Sequence, residues 1–296
     1  MKKRFCVAGI LMIVLSGVGE ARTSSRSLSL RFFGAWGPQR IGDFNAFQMD
    51  TQAYYDSLLL PVGFVREASL PGIRSNAEYR IEFMANLSER FSLGLGLGIL
   101  QGKTDASAAW DHPDYGGLSV DSRIGLDAFP ILAVGAYVFP LSNGLNLYAR
   151  IGAGAFLYSG RMDYSEISRV EGSYWTFSSN LDVRAGGFGL TAGLGLEREL
   201  GSGIRFFVEG GGRLARSGGL KGRYYYSGSR TAGFEGDGVI WYYEYYDRNA
   251  DSFLSGITCG ERPDGENLRN IHPMRIDFSG LCVRIGVRLS LFDWER

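Results

Sequence analysis

Two imidazoles are the first residues to weigh for chemistry in this 296-residue chain. His112 stands in Asp111-His112-Pro113-Asp114, where neighbouring carboxylates would orient the ring as a general base. Asp and His beside proline are also ordinary turn formers. His272 precedes Pro273. No Gly-x-Ser-x-Gly, His-Glu-x-x-His or Cys-x-x-Cys accompanies them, and the Gly-x-Gly runs lie inside alternating segments rather than ahead of a helix. Asp247-Arg248-Asn249-Ala250-Asp251 has the 1,3,5 spacing of a calcium loop, but Ser252 stands where the loop needs Gly and Thr258 where it needs an acid. The expectation is a non-enzymatic protein with no metal and no cofactor. A lipid-modifying enzyme using His112 or His272 is the third-ranked alternative.

A larger set of charged residues recurs at alternate positions of apolar runs. Arg31, Glu78, Arg80, Glu82, Arg123, Asp127, Arg150, Glu197, Arg205, Glu209, Arg213, Arg284 and Arg288 fall on the parity opposite to the bulky apolar residues. They are eight arginines and five carboxylates. Planar guanidinium forks pair bidentately with carboxylates in confined space, so a salt-bridged filling inside a closed structure is expected. The three surplus arginines leave open an anion path or binding site, because an unpaired buried charge is costly.

Strands must position such a set. Phe91, Leu93, Leu95, Leu97 and Ile99 alternate with Ser92, Gly94, Gly96 and Gly98, a period-2 pattern with one large and one bare face. It recurs at 145–157 and 281–291, and more noisily at 28–36, 77–87, 123–139, 187–198 and 205–216, for eight strands in all. Short connections (88–90, 140–144, 201–203) alternate with long ones at about 37–72, 102–119, 160–182 and 219–274. Short turns on one side and long loops on the other mark an outer-membrane barrel, whose strands need ~9–11 residues to span. In a soluble lipocalin-like barrel, the competing reading, the apolar parity would face inward. Composition agrees with many two-faced strands: 43 Gly, 19 Phe, 16 Tyr and 5 Trp, with 31 basic and 31 acidic residues. That balance excludes a basic nucleic-acid binder.

On this pattern the chain resembles the small eight-stranded outer-membrane barrels of the OmpA/OmpX/OmpW type. The resemblance implies an all-β, antiparallel, up-and-down transmembrane barrel in the outer membrane of a Gram-negative-type bacterium. It also implies a monomer in contact with outer-membrane lipid and the barrel-assembly machinery. One departure concerns the end of the last strand, where Phe292 follows Leu291 and falls out of phase with Val287, Leu289 and Leu291.

Residues 1–21 read as a secretory signal: Lys2, Lys3 and Arg4, an apolar run over 5–15, then Gly19-Glu20-Ala21 as a cleavage site. Removing them takes three basic residues and one acid from 31 of each, leaving 28 against 30. Residues 22–296 form the barrel domain. Cys6 lies within the leader, and Cys259 and Cys282 remain, paired or free. In the first long loop, Asp43, Phe44, Phe47, Tyr54 and Leu58 suggest a short helix over 41–60, capped by Asp43 and stopped by Pro61. It would pack over the barrel mouth or act as its lid. In the last loop, Tyr224-Tyr225-Tyr226 and the 241–246 cluster of Trp and Tyr suggest strands above the membrane with an interfacial girdle, or an adhesive surface for an extracellular ligand. The function expected is a non-enzymatic surface or structural barrel. The runner-up is a narrow, porin-like channel or transporter for small or hydrophobic solutes.

Overall fold

The computed structural model describes residues 26–38, 41–142, 144–170, 172–248 and 250–294. The leader and its Cys6, and Asn249 of the calcium-like run, lie outside them. In chain order the elements are β1 (Arg26–Pro38), α1 (Gly42–Leu59) with a 3-10 turn (Leu60–Val62), β2 (Val65–Arg66), β3 (Ser75–Asn86) and β4 (Phe91–His112). Then come β5 (Gly116–Ser142), β6 (Leu145–Val170), β7 (Ser173–Gly201), β8 (Ile204–Ala215), β9 (Lys221–Gly228) and β10 (Thr231–Asp247). The last three are β11 (Ser252–Gly260), β12 (Leu268–Pro273) and β13 (Gly280–Trp294).

Eight of these strands close a ring. Antiparallel pairings run β1–β3–β4–β5–β6–β7–β8–β13 and return from β13 to β1. The outward parity carries Phe83, Ile99, Phe129, Leu157, Phe188, Leu194, Val208 and Ile285, all exposed. Bulky apolar residues on the outside of a closed ring are what a hydrocarbon environment selects. The other parity points into the lumen, where eight strands leave room only for side chains.

Two of the expected loops are strands. β4 continues to His112 and β5 begins at Gly116, so 102–119 is a hairpin in register from Lys103↔Gly125 to His112↔Gly116. β6 and β7 likewise continue through 160–182. Alternation persists there but its polarity changes. Above Ile99, Phe129, Leu157 and Phe188 the outward positions become Asp105, Arg123, Arg161 and Asp182, with Arg123–Asp105 at 2.7 Å and Arg161–Asp163 at 3.1 Å. Above the apolar belt the outer face meets water.

Arg123 and Asp127 are therefore misplaced by the sequence reading. Both sit on the outward parity of β5, Arg123 paired with Asp105 and Asp127 accepting from the Gln101 side chain at 3.1 Å. β5 is apolar on both faces, with Ile124, Leu126, Leu132 and Val134 inward and Phe129, Ile131 and Phe139 outward, so polarity could not orient it.

Above the ring, β7 changes partner. Its lower part pairs with β8 and its upper part with β9 (Phe177↔Gly228 to Arg184↔Lys221). β9–β10–β11 extend the tall strands into a curved sheet. α1 lies against this sheet. Gln48 donates to the Ser122 hydroxyl at 3.0 Å, and the Trp110 indole donates to Asp56 at 2.9 Å. Asp43 does not cap the helix: the N-cap is Ile41, and the Asp43 carboxylate accepts the Arg275 backbone N–H at 2.9 Å. Pro61 is accommodated in the 3-10 turn after the helix.

A register slip between Leu28 and Ser29 sets Leu28 opposite Phe292 and Ser29 opposite Ser290. The backbone of Phe292 thus pairs with that of Leu28.

Candidate functional site

Of the thirteen residues predicted to form an interior network, the lumen gathers eleven. Glu209 on β8 accepts from Arg150 of β6 (Nε at 3.0 Å) and from Arg284 of β13, with an Arg31 nitrogen at 4.0 Å. Glu82 on β3 receives Arg150, with Arg80 at 3.7 Å and Arg31 at 3.9 Å. Glu78 binds Arg213 at 2.8 Å and Arg80. Nearer the short turns, Glu197 holds Arg205 at 3.2 Å and Arg288 at 3.5 Å. Arg288 also donates to Asn86 at 2.6 Å and to Ser29 at 3.1 Å.

Small residues on neighbouring strands make this filling fit. A Cβ on Gly193 would lie 2.2 Å from a Glu209 carboxylate oxygen, and one on Gly96 would lie 3.4 Å from Glu82 Cγ. Phe33, Tyr148 and Phe207 fill the gaps, and the Arg31 guanidinium lies over the Phe207 ring at 4.2 Å. Among the described residues, seven arginines (31, 80, 150, 205, 213, 284, 288) face five glutamates (78, 82, 197, 199, 209), so this network is net cationic. Among the described residues, some buried nitrogens of Arg31, Arg80 and Arg284 find no hydrogen-bond partner.

An apolar plug caps the charged layer. Arg213 Nε donates to the Phe278 carbonyl at 2.7 Å, and Phe278 stacks on Tyr158 at 6.1 Å. Ile41, Phe44, Ile73, Met274 and Ile276 join them in a continuous buried cluster with Leu126, Phe156 and Val183 of the barrel wall. The segment from Met274 to Phe278 is tied to the end of β8 by Ser217 N–H to Ile276 O (2.8 Å) and Phe278 N–H to Ala215 O (2.8 Å).

The head holds a second site, a cavity of about 510 Å³ between α1 and the sheet of β6, β7, β9, β10 and β11. Asp50 and Thr51 of α1 face Glu166 of β6 and a wall of tyrosines from β6, β9, β10 and the helix. Glu166 accepts from the hydroxyls of Tyr164 and Tyr55. Asp50 accepts from Ser255, whose hydroxyl also bonds that of Tyr242 at 2.6 Å. Burial raises both carboxyl groups above the usual carboxylate range. Burial also pushes Tyr224 and Tyr245 up to about 12, so their hydroxyls stay neutral donors.

Neither Asp50 nor Glu166 was singled out in the sequence. Glu166 lies on the same parity of β6 as Tyr148, Arg150, Tyr158 and Tyr164, so following that strand upward would have found it. Asp50 lies on a helix, where strand parity says nothing. Of the tyrosines expected as a girdle, Tyr224, Tyr243 and Tyr245 line this cavity, Tyr226 stacks on Phe234 and Tyr242 on His272, and Tyr225 and Tyr246 are exposed.

The remaining candidates make local contacts. His112 Nδ1 accepts the backbone N–H of Asp114 at 3.0 Å, and the ring packs between Phe64 and Tyr115. His272 stacks on Tyr242 and lies 3.8 Å from Asp43. Asp247 accepts the Ala250 N–H at 3.1 Å, which closes the β10–β11 hairpin. Cys259 in β11 and Cys282 in β13 are free, buried thiols, one in the head sheet and one in the lumen.

No family model matches the chain, and no curated protein matches it. Among solved structures it is similar to the outer membrane protein OprG from Pseudomonas aeruginosa, at 10% identity and a TM-score of 0.39 over 90% of this chain and 96% of that one. It is also similar to CarO2 of Acinetobacter baumannii, at 14% identity and a TM-score of 0.27 over 73% and 96%. The closed ring of strand pairings, rather than these distant likenesses, establishes the eight-stranded barrel.

Proposed function

We propose that this chain is an outer-membrane protein of a Gram-negative-type bacterium, a non-enzymatic barrel that anchors a folded extracellular head. It is exported with a cleaved leader and assembled as a monomer by the barrel-assembly machinery. The observation that carries this reading is the filled lumen: a charged layer from β1, β3, β6, β8 and β13 lies below an apolar plug, inside a ring whose outward face is apolar. A salt-bridged layer locks the barrel wall, and a plug held by backbone hydrogen bonds leaves no wide aqueous path. The tall hairpins β4–β5 and β6–β7 lift the head clear of the lipid, which suits a role at the cell surface.

Planar-bilayer recording with the purified protein tests this. The expected result is no unitary current, with full-length protein confirmed in the bilayer by its slower or faster gel migration before boiling. Reproducible current steps, anion-selective because of the surplus arginines, would overturn the closed-barrel reading in favour of a narrow channel.

A further inference from the structure

We propose that the head cavity binds an organic cation, an alkylammonium group carried on a small apolar body. The cavity, about 510 Å³, lies within the roughly 300–1,000 Å³ typical of small-molecule sites. Among the described residues, its only charged lining groups are two carboxylates, Asp50 and Glu166, and no Lys, Arg or His lines it. Glu166 is almost fully buried, and among the described residues neither carboxylate has a cationic partner. Glu244, whose charge acts on Asp50 from outside the cavity lining, is already held by Arg269 at 2.7 Å and Asn270 at 3.0 Å.

Buried anions without a counter-charge are costly. The raised carboxyl groups register that cost, and a bound cation would relieve it. The walls suit such a guest. Tyr54, Tyr55, Tyr164, Tyr243 and Tyr245 present neutral rings, and a cation within ~6 Å of a ring centroid is attracted by its quadrupole. Phe47, Phe177 and Leu254 supply apolar surface for the rest of the molecule.

A metal ion fits less well. Calcium takes ~6–8 oxygen ligands, and among the described residues no cluster of three or more His, Cys, Asp or Glu side chains could hold a metal. The space also far exceeds a bare ion. An ammonium needs only one or two carboxylates and an aromatic surround, which is the set present.

The test uses the full chain purified in detergent, with benzyltrimethylammonium as the probe and benzyl alcohol as its neutral counterpart, read by titration calorimetry. The expected result is saturable binding of the cation, weak or absent binding of the alcohol, and affinity about tenfold lower in Glu166→Gln. The double variant Glu166→Gln/Asp50→Asn should lose binding altogether, while Asp105→Asn on the outer face should bind as the parent does. Each variant is first checked for parent-like resistance to proteolysis between β8 and β13, so that a misfolded head is not scored as a non-binder. No binding by the parent up to millimolar probe would overturn the proposal. So would equal affinity for alcohol and cation, or unchanged affinity in the double variant. None of these results bears on whether the barrel below conducts.

Discussion

At the residue scale, Glu209 is the acceptor on which the middle of the lumen depends. Arg150 and Arg284 both donate to it and Arg31 approaches it. A buried ion pair adds little over an apolar filling of equal shape, but removing one partner strands the others without compensation, at about 3–5 kcal/mol. Glu209→Ala should therefore lower unfolding stability in micelles by that order, measured by denaturant titration followed by gel mobility. Loss of less than about 1 kcal/mol would mean that lumen water compensates the arginines. Glu166 should behave in the opposite way. Its folded-state carboxyl is raised by burial, so the folded state holds the proton more tightly than the unfolded chain, and stability is lost as pH rises from the unfolded value through the raised one. Glu166→Gln should thus stabilise the head at pH 7 relative to the parent, and the difference should vanish near pH 4. Thermal unfolding of the two proteins at both pH values checks the sign. The lumen set was largely legible, because charges on the bare parity of an alternating strand have one place to go. Asp50 was not, since its partner Ser255 lies far away in sequence on another element.

At the element scale, the strands were legible where lipid and lumen differ in polarity, and ambiguous elsewhere. β4, β6 and β13 show one bulky and one bare or polar face, and their orientation could be read directly. β5 is apolar on both faces, and above the belt the outward positions turn polar, so Arg123 and Asp127 read as interior although they face water. The same change hid the upper halves of β4–β7, which look like polar loops until their pairing is seen. Orientation within the belt can be tested by substitution. Leu95→Arg or Ile285→Arg on the outer face should impair assembly, at about 2–4 kcal/mol near the membrane midplane. Gly96→Ser on the lumen face should be milder, since its Cβ would sit 3.3 Å from Val134 Cγ2 and needs only a small adjustment. The yield of heat-modifiable protein in membranes compares them, and equal damage on both faces would reverse the assignment. Where β9 docks on β7, a Cβ on Gly222 would fall 1.8 Å from the Asp182 carbonyl oxygen. Gly222→Ala should therefore loosen the head, seen as faster proteolysis between β8 and β13, while the barrel keeps its unboiled gel mobility.

At the scale of the whole molecule, one chain builds two environments from one set of strands. Below, the ring is closed, apolar outside and charged within. Above, four of its strands continue into an open curved sheet filled by α1, with polar residues outside and aromatic ones within. The apolar belt is what joins these halves to a membrane. Collision accessibility of nitroxide labels in lipid vesicles probes it most directly, with labels placed singly at Leu194, Ile285 and Arg123 in a chain whose Cys259 and Cys282 are replaced by alanine. Leu194 and Ile285 should collide with oxygen far more than with a water-soluble nickel chelate, and Arg123 should do the reverse. Nickel dominance at Leu194 and Ile285 would put the belt in water and contradict a membrane-embedded barrel.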